Sequence, residues 1–311
     1  MTTKMRISSL NISEKKGVIK TPVESIELNE NGIKNDAHAG NWHRQVSILG
    51  SESIEKFSVE LGRAIKPGEF AENITLQGLG LTKVNPLDKF LCGDIQLEVT
   101  QIGKKCHGAN CVIFRETGNC VMPKEGIFCR VLKGGTLKPG DELCFQPKEF
   151  KVLVITLSDR CYSGISEDTG GPVVVQKIKS LMGTNGRKNK IDAVILPDEP
   201  SLITDRIKMA YESGYDIIIT TGSTGIGPRD IAPETIKPLL DKEIPGIMDI
   251  IRIKYGTEKP NALISRAIAG TKSKTLVFAV PGSLKAVTEY MDEINKIIFH
   301  CFYMLYSIDN H

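Results

Sequence analysis

Residues 220–230 read TTGSTGIGPRD and follow directly on the apolar run YDIIIT. Glycines at 222, 225 and 227 leave the backbone open, and Thr221, Ser223 and Thr224 add short hydroxyl donors. Such a loop lets main-chain N–H groups approach an anion closely. Its natural ligand is a phosphate or a phosphate ester, with Arg229 supplying charge-assisted hydrogen bonds. Asp230 leaves this loop, and Asp198 leaves the earlier run VILPDE. Carboxylates repel phosphate, so beside one their use is to hold Mg²⁺, or to orient or deprotonate a nucleophile. A phosphate cradle with two acids points to nucleotidyl or phosphoryl transfer. The loop is neither GxxxxGK[ST] nor GxGxxG. Two plainer readings stand beside this one: a glycine-rich strand exit can be only a tight turn, and Asp198 can be the N-cap of a helix over SLITDRI.

A second set of reactive groups lies in GKKCHGANCVIFRETGNCVMPKEGIFCRVL, which holds Cys106, His107, Cys111, Cys120 and Cys129. A structural zinc site is one use, but no CxxC pair is present. Cys92, Cys129 and Cys144 read as inert thiols of a β-core. Lys104, Lys105 and His107 flank Cys106 and Cys111, and cationic neighbours favour thiolate. A thiolate can carry sulfur or bind a soft metal.

The elements that must position these groups differ between the two halves. Up to about residue 148, short runs (GVIK, SIEL, QVSIL, IQLEVTQI, IFCRVL) alternate with Gly, Asn, Asp and Pro, the spacing of strands closing into a barrel or sandwich. One helix, GSESIEKFSVELG, interrupts them, with Ser51 or Ser53 as cap and Gly62 as terminator. LKPGDEL reads as a turn into a last strand. From KVLVITLSD onward, continuous apolar runs alternate with helical spacing, which means a mostly parallel sheet covered on both faces. In such a sheet ligands bind outside the carboxyl ends of the strands. Ser158 and Asp159, Asp198 and Glu199, the 220–230 loop, and Gly282 and Ser283 all fall there. The expected domains are 1–148 and 149–311.

At 311 residues the chain is long enough for two cores, and a net charge of +3 argues against non-specific nucleic-acid binding. MTTKMRISSLNIS lacks the apolar core of a signal peptide, and IIFHCFYMLYSI is too short to span a bilayer. The expectation is a cytoplasmic protein with no membrane or nucleic-acid partner.

VITLSDRCYSGISEDTGGP, ILPDEPSLI, DIIITTGSTGIGPRDIAPETI, IPGIMDIIR, ALISRAIAG and VFAVPGSLKAV resemble, in order, the motifs of the MoaB/Mog family, over roughly residues 150–300. That family makes the molybdenum cofactor. The resemblance implies a three-layer α/β/α sandwich, assembled as trimers or higher oligomers. It implies Mg-ATP-dependent transfer of AMP to the terminal phosphate of molybdopterin, with release of pyrophosphate. Asp198 and Asp230 match the family's two functional acids, near which Mg²⁺ is expected. Thr221, Gly222, Ser223, Thr224, Gly225 and Arg229, with Ser158, Gly282 and Ser283, fall in its pterin- and phosphate-binding motifs. Asp159 and Asp168 lie in the same motifs and read equally as caps. One departure is Ser223, where the family pattern TTGGTG has glycine: a left-handed backbone there would strain serine.

GIKNDAHAGNWHRQVSIL, PGEFAENITLQGLGL, LEVTQIGKKCH, CVMPKEGIF and LKPGDEL resemble the motifs of the molybdenum cofactor sulfurase C-terminal (MOSC) domain, over nearly all of residues 1–148. The resemblance implies a β-barrel-like fold that binds the cofactor or carries sulfur through a cysteine between Cys106 and Cys111, Cys111 preferred. His38, His43 and Arg44 would contact the cofactor's phosphate; alternatively the histidines order a loop around Trp42. Together the resemblances imply a fused cofactor-biosynthesis enzyme working with other proteins of that pathway on molybdenum or tungsten. The competing readings are a pterin carrier without turnover and a reductase using bound cofactor.

Overall fold

The computed structural model describes residues 3–80, 82–105, 114 and 120–308. The chain divides into two compact units, one running to Lys148 and the other spanning Glu149–Tyr306.

The first unit is built from β1 (Thr3–Ile12), β2 (Thr21–Val23), β3 (Ile26–Asn29), β4 (Gly32–Ile33), β5 (Val46–Gly50), β6 (Ile74–Gln77), β7 (Lys89–Cys92), β8 (Ile95–Ile102), β9 (Ile127–Lys133), β10 (Gly135–Leu137) and β11 (Glu142–Gln146). Among the described residues, seven strands close into a barrel in the order β11-β7-β8-β9-β5-β6-β1, with β1 pairing back onto β11. Closure removes the open edges that a flat sheet would expose. Alternation drives it: Ile95, Leu97 and Val99 of β8 face the core with Met5, Ile7, Val46, Ile48 and Leu143. In β1 the inward phase moves from Met5 and Ile7 to Leu10, and a bulge between Ile7 and Ser9 accounts for the change.

Two local expectations fail in this unit. GVIK is not a strand; Gly17 has a φ of 77° and Lys20 turns inward. In the helix Ser51–Leu61 neither Ser51 nor Ser53 caps, because Gly50 occupies the N-cap and no side chain bonds there. Gly62 does end the helix, with a left-handed φ of 67°.

Lys20 explains why its segment leaves the β pattern. Its ammonium pairs with Asp36, and both side chains are buried, at 1% and 0% exposure. Asp36 also accepts from Asn73 Nδ2 at 3.0 Å, Ser13 N at 3.1 Å and His38 N at 2.9 Å. This carboxylate ties β1, β6 and the loop 36–44 together.

In the second unit, β12 (Glu149–Leu157), β13 (Lys188–Leu196), β14 (Ile217–Thr221), β15 (Lys242–Glu243), β16 (Ile268–Lys272) and β17 (Thr275–Val280) form, among the described residues, a six-stranded sheet ordered β13-β12-β14-β17-β16-β15. β13, β12, β14 and β17 run parallel; β16 and β15 add antiparallel. Leu153, Ile155, Ile218, Val277 and Ala279 pack against Ile203, Ile207 and Ala210 of the helix Pro200–Glu212, and against Ala232 and Ile236. The opposite residues, Val152, Val154, Ile219 and Phe278, are equally buried. On that side Phe150 packs on Phe302, 5.0 Å between ring centres. Among the described residues, no helix is long and apolar enough to cross a membrane.

Burial would raise the Asp36 carboxyl, but the hydrogen bonds from His38 and Lys20 and the Lys20 charge outweigh it and hold the group well below its usual range. With the folded value below the unfolded one of about 4, this stabilisation is complete above that pH and is lost as pH falls towards the folded value. Asp36→Asn removes the one carboxylate bonded to the buried Lys20, leaving only Glu72, which is not bonded to it, nearby, and should cost the first unit about 3–5 kcal/mol at neutral pH. Trp42 is the chain's one tryptophan and sits in this unit, so its fluorescence reports that unfolding selectively. Equal denaturant midpoints for wild type and variant at pH 7 would refute the assignment.

Candidate functional site

The carboxyl ends of β12, β14 and β17 meet backbone to backbone. Gly222 follows β14 with a φ of 104°, and a Cβ there would stand 2.3 Å from the carbonyl oxygen of Leu157. A Cβ on Gly282, beyond β17, would stand 3.0 Å from Gly222 Cα. One on Gly170, which opens the helix Gly170–Thr184, would lie 3.2 Å from both Gly282 O and Thr221 Oγ1. Close approach therefore constrains all three glycines, and Gly222 is required by its backbone conformation as well. Gly222 N–H donates to Val280 O at 3.0 Å, and the buried Thr221 hydroxyl donates to Pro281 O at 3.0 Å.

The loop beyond is held by its own polar groups. Ser223 has a φ of 56°, so the serine departure does fall on a left-handed backbone. Its hydroxyl donates to Arg229 O at 3.1 Å and accepts from Ile231 N–H at 2.9 Å. Two hydrogen bonds thus offset a conformational cost of about 1–2 kcal/mol. Asp230 Oδ2 accepts from Gly227 N–H at 2.8 Å and closes the tip. Arg266 grips the loop from outside, through Nε to Gly225 O and Nη2 to Asp230 O, each at 2.6 Å, while its backbone N–H reaches Thr224 O at 2.9 Å. It also pairs with Glu234.

Asp159 and Asp198, at the ends of β12 and β13, accept each other's backbone N–H groups. Asp198 N–H donates to Asp159 Oδ1 at 3.0 Å, and Asp159 N–H to Asp198 Oδ2 at 3.2 Å. Asp198 is 9% exposed, and its Oδ1 is buried without a hydrogen-bond partner. It does not cap the following helix, whose N-cap is Glu199 with no side-chain bond. The Asp198 N–H and then Arg229 hold the Asp159 carboxyl below its usual range. Arg229 meets Asp159 through Nε and Nη2, both at 2.9 Å, and Glu199 at 3.3 Å. The contacts linking Asp198 to Asp230 run through Asp159 and Arg229, the chain neighbour of Asp230.

The remaining residues of these motifs shape the rim. Ser158 caps the helix Asp159–Tyr162 by accepting from Cys161 N–H at 3.2 Å, and Ser283 caps the helix Leu284–Ile294 by accepting from Ala286 N–H at 3.4 Å. Asp168 accepts from Gly170 N–H, Gly171 N–H and the Thr156 hydroxyl at 3.1, 2.9 and 2.7 Å. Of its two readings, the structural one describes this geometry. Among the described residues, no three His, Cys, Asp or Glu side chains make a ready-made metal cage.

In the first unit, His38, His43 and Arg44 surround Trp42. His38 stacks on it at 6.2 Å, His43 meets it edge-on at 6.3 Å, and the Arg44 guanidinium lies 5.0 Å from the ring centre. Lys16 adds a further charge at 5.4 Å. Trp42 Nε1–H donates to His38 O at 2.7 Å. The histidines thus order the loop around Trp42, and the cluster also gathers positive charge. Arg44 Nε is buried without a hydrogen-bond partner. Cys106, His107 and Cys111 lie outside the described residues. Cys129 is fully buried and burial pushes its thiol up, whereas Cys144 falls on the outward phase of β11 and Cys92 packs only partly against the core, so both are half-buried.

Sequence reasoning did not single out Arg266 or Lys20. Each acts on residues distant in the chain, and no local pattern marks such a partner.

The model of the probable molybdopterin binding domain matches residues 153–300, and the model of the MOSC domain matches residues 35–144. The chain is 36% identical over 159 residues to the molybdopterin adenylyltransferase of Pyrococcus furiosus, covering 50% of this chain and 90% of that protein. It is 38% identical over 148 residues to molybdenum cofactor biosynthesis protein B of Staphylococcus aureus, covering 47% and 85%. It is 37% identical over 166 residues to gephyrin of Dictyostelium discoideum, covering 51% of this chain and 23% of gephyrin, so it spans about a quarter of that relative's length.

Ser223→Ala keeps the left-handed backbone and loses both hydrogen bonds, and should destabilise the second unit by about 1–2 kcal/mol. Ser223→Gly loses the same bonds but removes the strain, and should stay within about 1 kcal/mol of wild type. Denaturant unfolding followed by far-UV circular dichroism compares them. An alanine variant as stable as the glycine variant would contradict this account of the loop.

Proposed function

Since the chain belongs to the molybdopterin-binding-domain family through residues 153–300 and carries a MOSC domain at 35–144, we propose that its second unit adenylylates molybdopterin at the strand ends around Asp198. The observation that carries this reading is the buried, unpartnered Oδ1 of Asp198 beside a glycine loop fixed for close approach. In this reading Ser223, Thr224 and Gly225 cradle the pterin phosphate mainly through their backbone. Gly222 and Gly282 let the strands close behind it, and Ser158 and Ser283 fix the rim through their helix caps. The Thr221 hydroxyl supports the turn from behind. An oxygen of the pterin phosphate attacks the α-phosphorus of ATP; a new P–O bond forms as the bond to pyrophosphate breaks, and pyrophosphate leaves with the electron pair.

The residues fit Mg²⁺: Asp198 offers a free oxygen, and Mg²⁺ characteristically takes one or two carboxylates and completes its shell from phosphates and water. When bound it supplies neutralisation of charge on the nucleotide. Asp230 shapes the loop tip and faces the nucleotide as the second acid. Relatives named for molybdenum cofactor biosynthesis support the pathway. Helix packing on both faces of the sheet supports a three-layer sandwich, and a homo-oligomer, a trimer by family resemblance, is part of the proposal.

For the first unit we propose a binding site for the cofactor or its sulfur. Cys111 or Cys106 would be the sulfur or metal ligand, and His38, His43 and Arg44 would take the phosphate. The buried Arg44 Nε supports the anion role. Molybdenum and tungsten fit this chemistry equally, and transfer to other cofactor-biosynthesis proteins would follow.

Asp230→Asn keeps an acceptor for Gly227 N–H and removes the charge, so the fold should persist. Incubated with molybdopterin, ATP and Mg²⁺, wild type should release pyrophosphate and adenylylated pterin, and the variant should lose at least about 100-fold in rate. Full turnover by the variant would remove Asp230 from the catalytic machinery. Pterin binding without turnover by wild type would make the unit a carrier.

A further inference from the structure

We propose that Arg229 is an electrostatic latch that competes with a divalent cation for the Asp159–Asp198 pair and gives way when the cation arrives. The inference rests on the adenylyl-transfer reading only for what Arg229 binds after release, a phosphate ester.

Three observations carry it. The backbone bonds between Asp159 and Asp198 hold the two acids side by side whatever their side chains bind. Arg229 shares its single positive charge between Asp159 and Glu199, leaving Asp198 without a cation of its own. Asp198 Oδ1 has no hydrogen-bond partner and no contact with solvent, so a cation reaches it only after a neighbouring group moves. The guanidinium is the group whose departure an arriving divalent cation more than compensates in charge.

Exposure decides whether such a latch can open. The Arg229 and Asp159 side chains are 57% and 43% exposed, and exposed pairs of this kind are weak and screened by salt. The fork of Arg229 suits a phosphate as well as a carboxylate. On release it carries its positive charge, at the exit of the glycine loop, towards the anion that arrives with the cation. Glu199 is left free to join Asp159 around the cation. Cation and phosphate then bind with mutual reinforcement, since each removes a competitor of the other.

The test uses the full chain and Mn²⁺ alone, with free ion counted by electron paramagnetic resonance. Arg229→Gln should bind Mn²⁺ roughly 1.5-fold to fivefold more tightly than wild type, the size expected for removing one exposed competing pair. Arg229→Lys keeps the charge without the fork and should fall between them. Asp198→Asn and Asp159→Asn should weaken binding in either background. Circular dichroism shows whether each variant is folded, and tighter binding is a gain that a damaged fold does not give. Arg229→Gln binding Mn²⁺ no more tightly than wild type overturns the latch. Adenylyl transfer measured on the same proteins separates the two ideas. Transfer by wild type with unchanged Mn²⁺ affinity in Arg229→Gln sinks the latch alone, while tightened affinity with no transfer by wild type sinks the transferase reading alone.

Discussion

The second unit depends on one steric constraint: at the carboxyl edge of its sheet, three segments approach at backbone contact. The Leu157 carbonyl leaves no space for a Cβ on Gly222, and the Gly222 Cα leaves little for one on Gly282. Everything beyond that junction follows from it. With β12 and β14 closed behind Gly222, the chain must leave the sheet with a positive φ, and it holds one at the next residue too. The loop then returns within a few residues to the helix Ala232–Ile236. A chain so constrained has few spare main-chain partners, which is why Ser223, Asp230 and Arg266 satisfy it with side chains.

That constraint also explains how a serine is accepted at a position whose backbone favours glycine. The left-handed conformation costs a non-glycine residue about 1–2 kcal/mol. The Ser223 hydroxyl lies between the Arg229 carbonyl and the Ile231 N–H, bridging entry and exit of the loop. A glycine would be relaxed there and would leave both groups to find other partners. The serine exchanges intrinsic ease for rigidity, and the loop it stiffens is the one that carries Arg229 and Asp230.

Much of this was legible in the sequence where burial imposes a pattern. Parallel strands covered on both faces must be continuously apolar, so KVLVITL, YDIIITT and KTLVFAV announce β12, β14 and β17, while IDAVIL marks β13, an edge strand with no residue fully buried. The barrel's alternation was legible for the same reason. What escaped depends on partners remote in the chain. Nothing near Lys20 shows that Asp36 will draw it inside, so GVIK reads as a strand. Arg266 reaches back to Gly225 and Asp230, and no periodicity marks it. The strand Ile268–Lys272 carries Gly270 where a Cβ would meet Lys242 O at 2.5 Å, so its weak β pattern reflects a close neighbour strand. Caps failed where the backbone did the work alone, as at Gly50.

The two units use the same chemical element, a basic side chain on an aspartate, in opposite ways. Lys20 and Asp36 lie out of water, and Asn73, Ser13 and His38 take up the rest of the carboxylate. Breaking such a pair strands a buried charge, so it acts as a permanent tie between strands and loop. Arg229 and Asp159 face solvent, where water replaces either partner at little cost. A pair in that setting contributes little to stability and can give way to another partner. Burial, rather than the identity of the charges, decides which pair is architecture and which can exchange partners during binding.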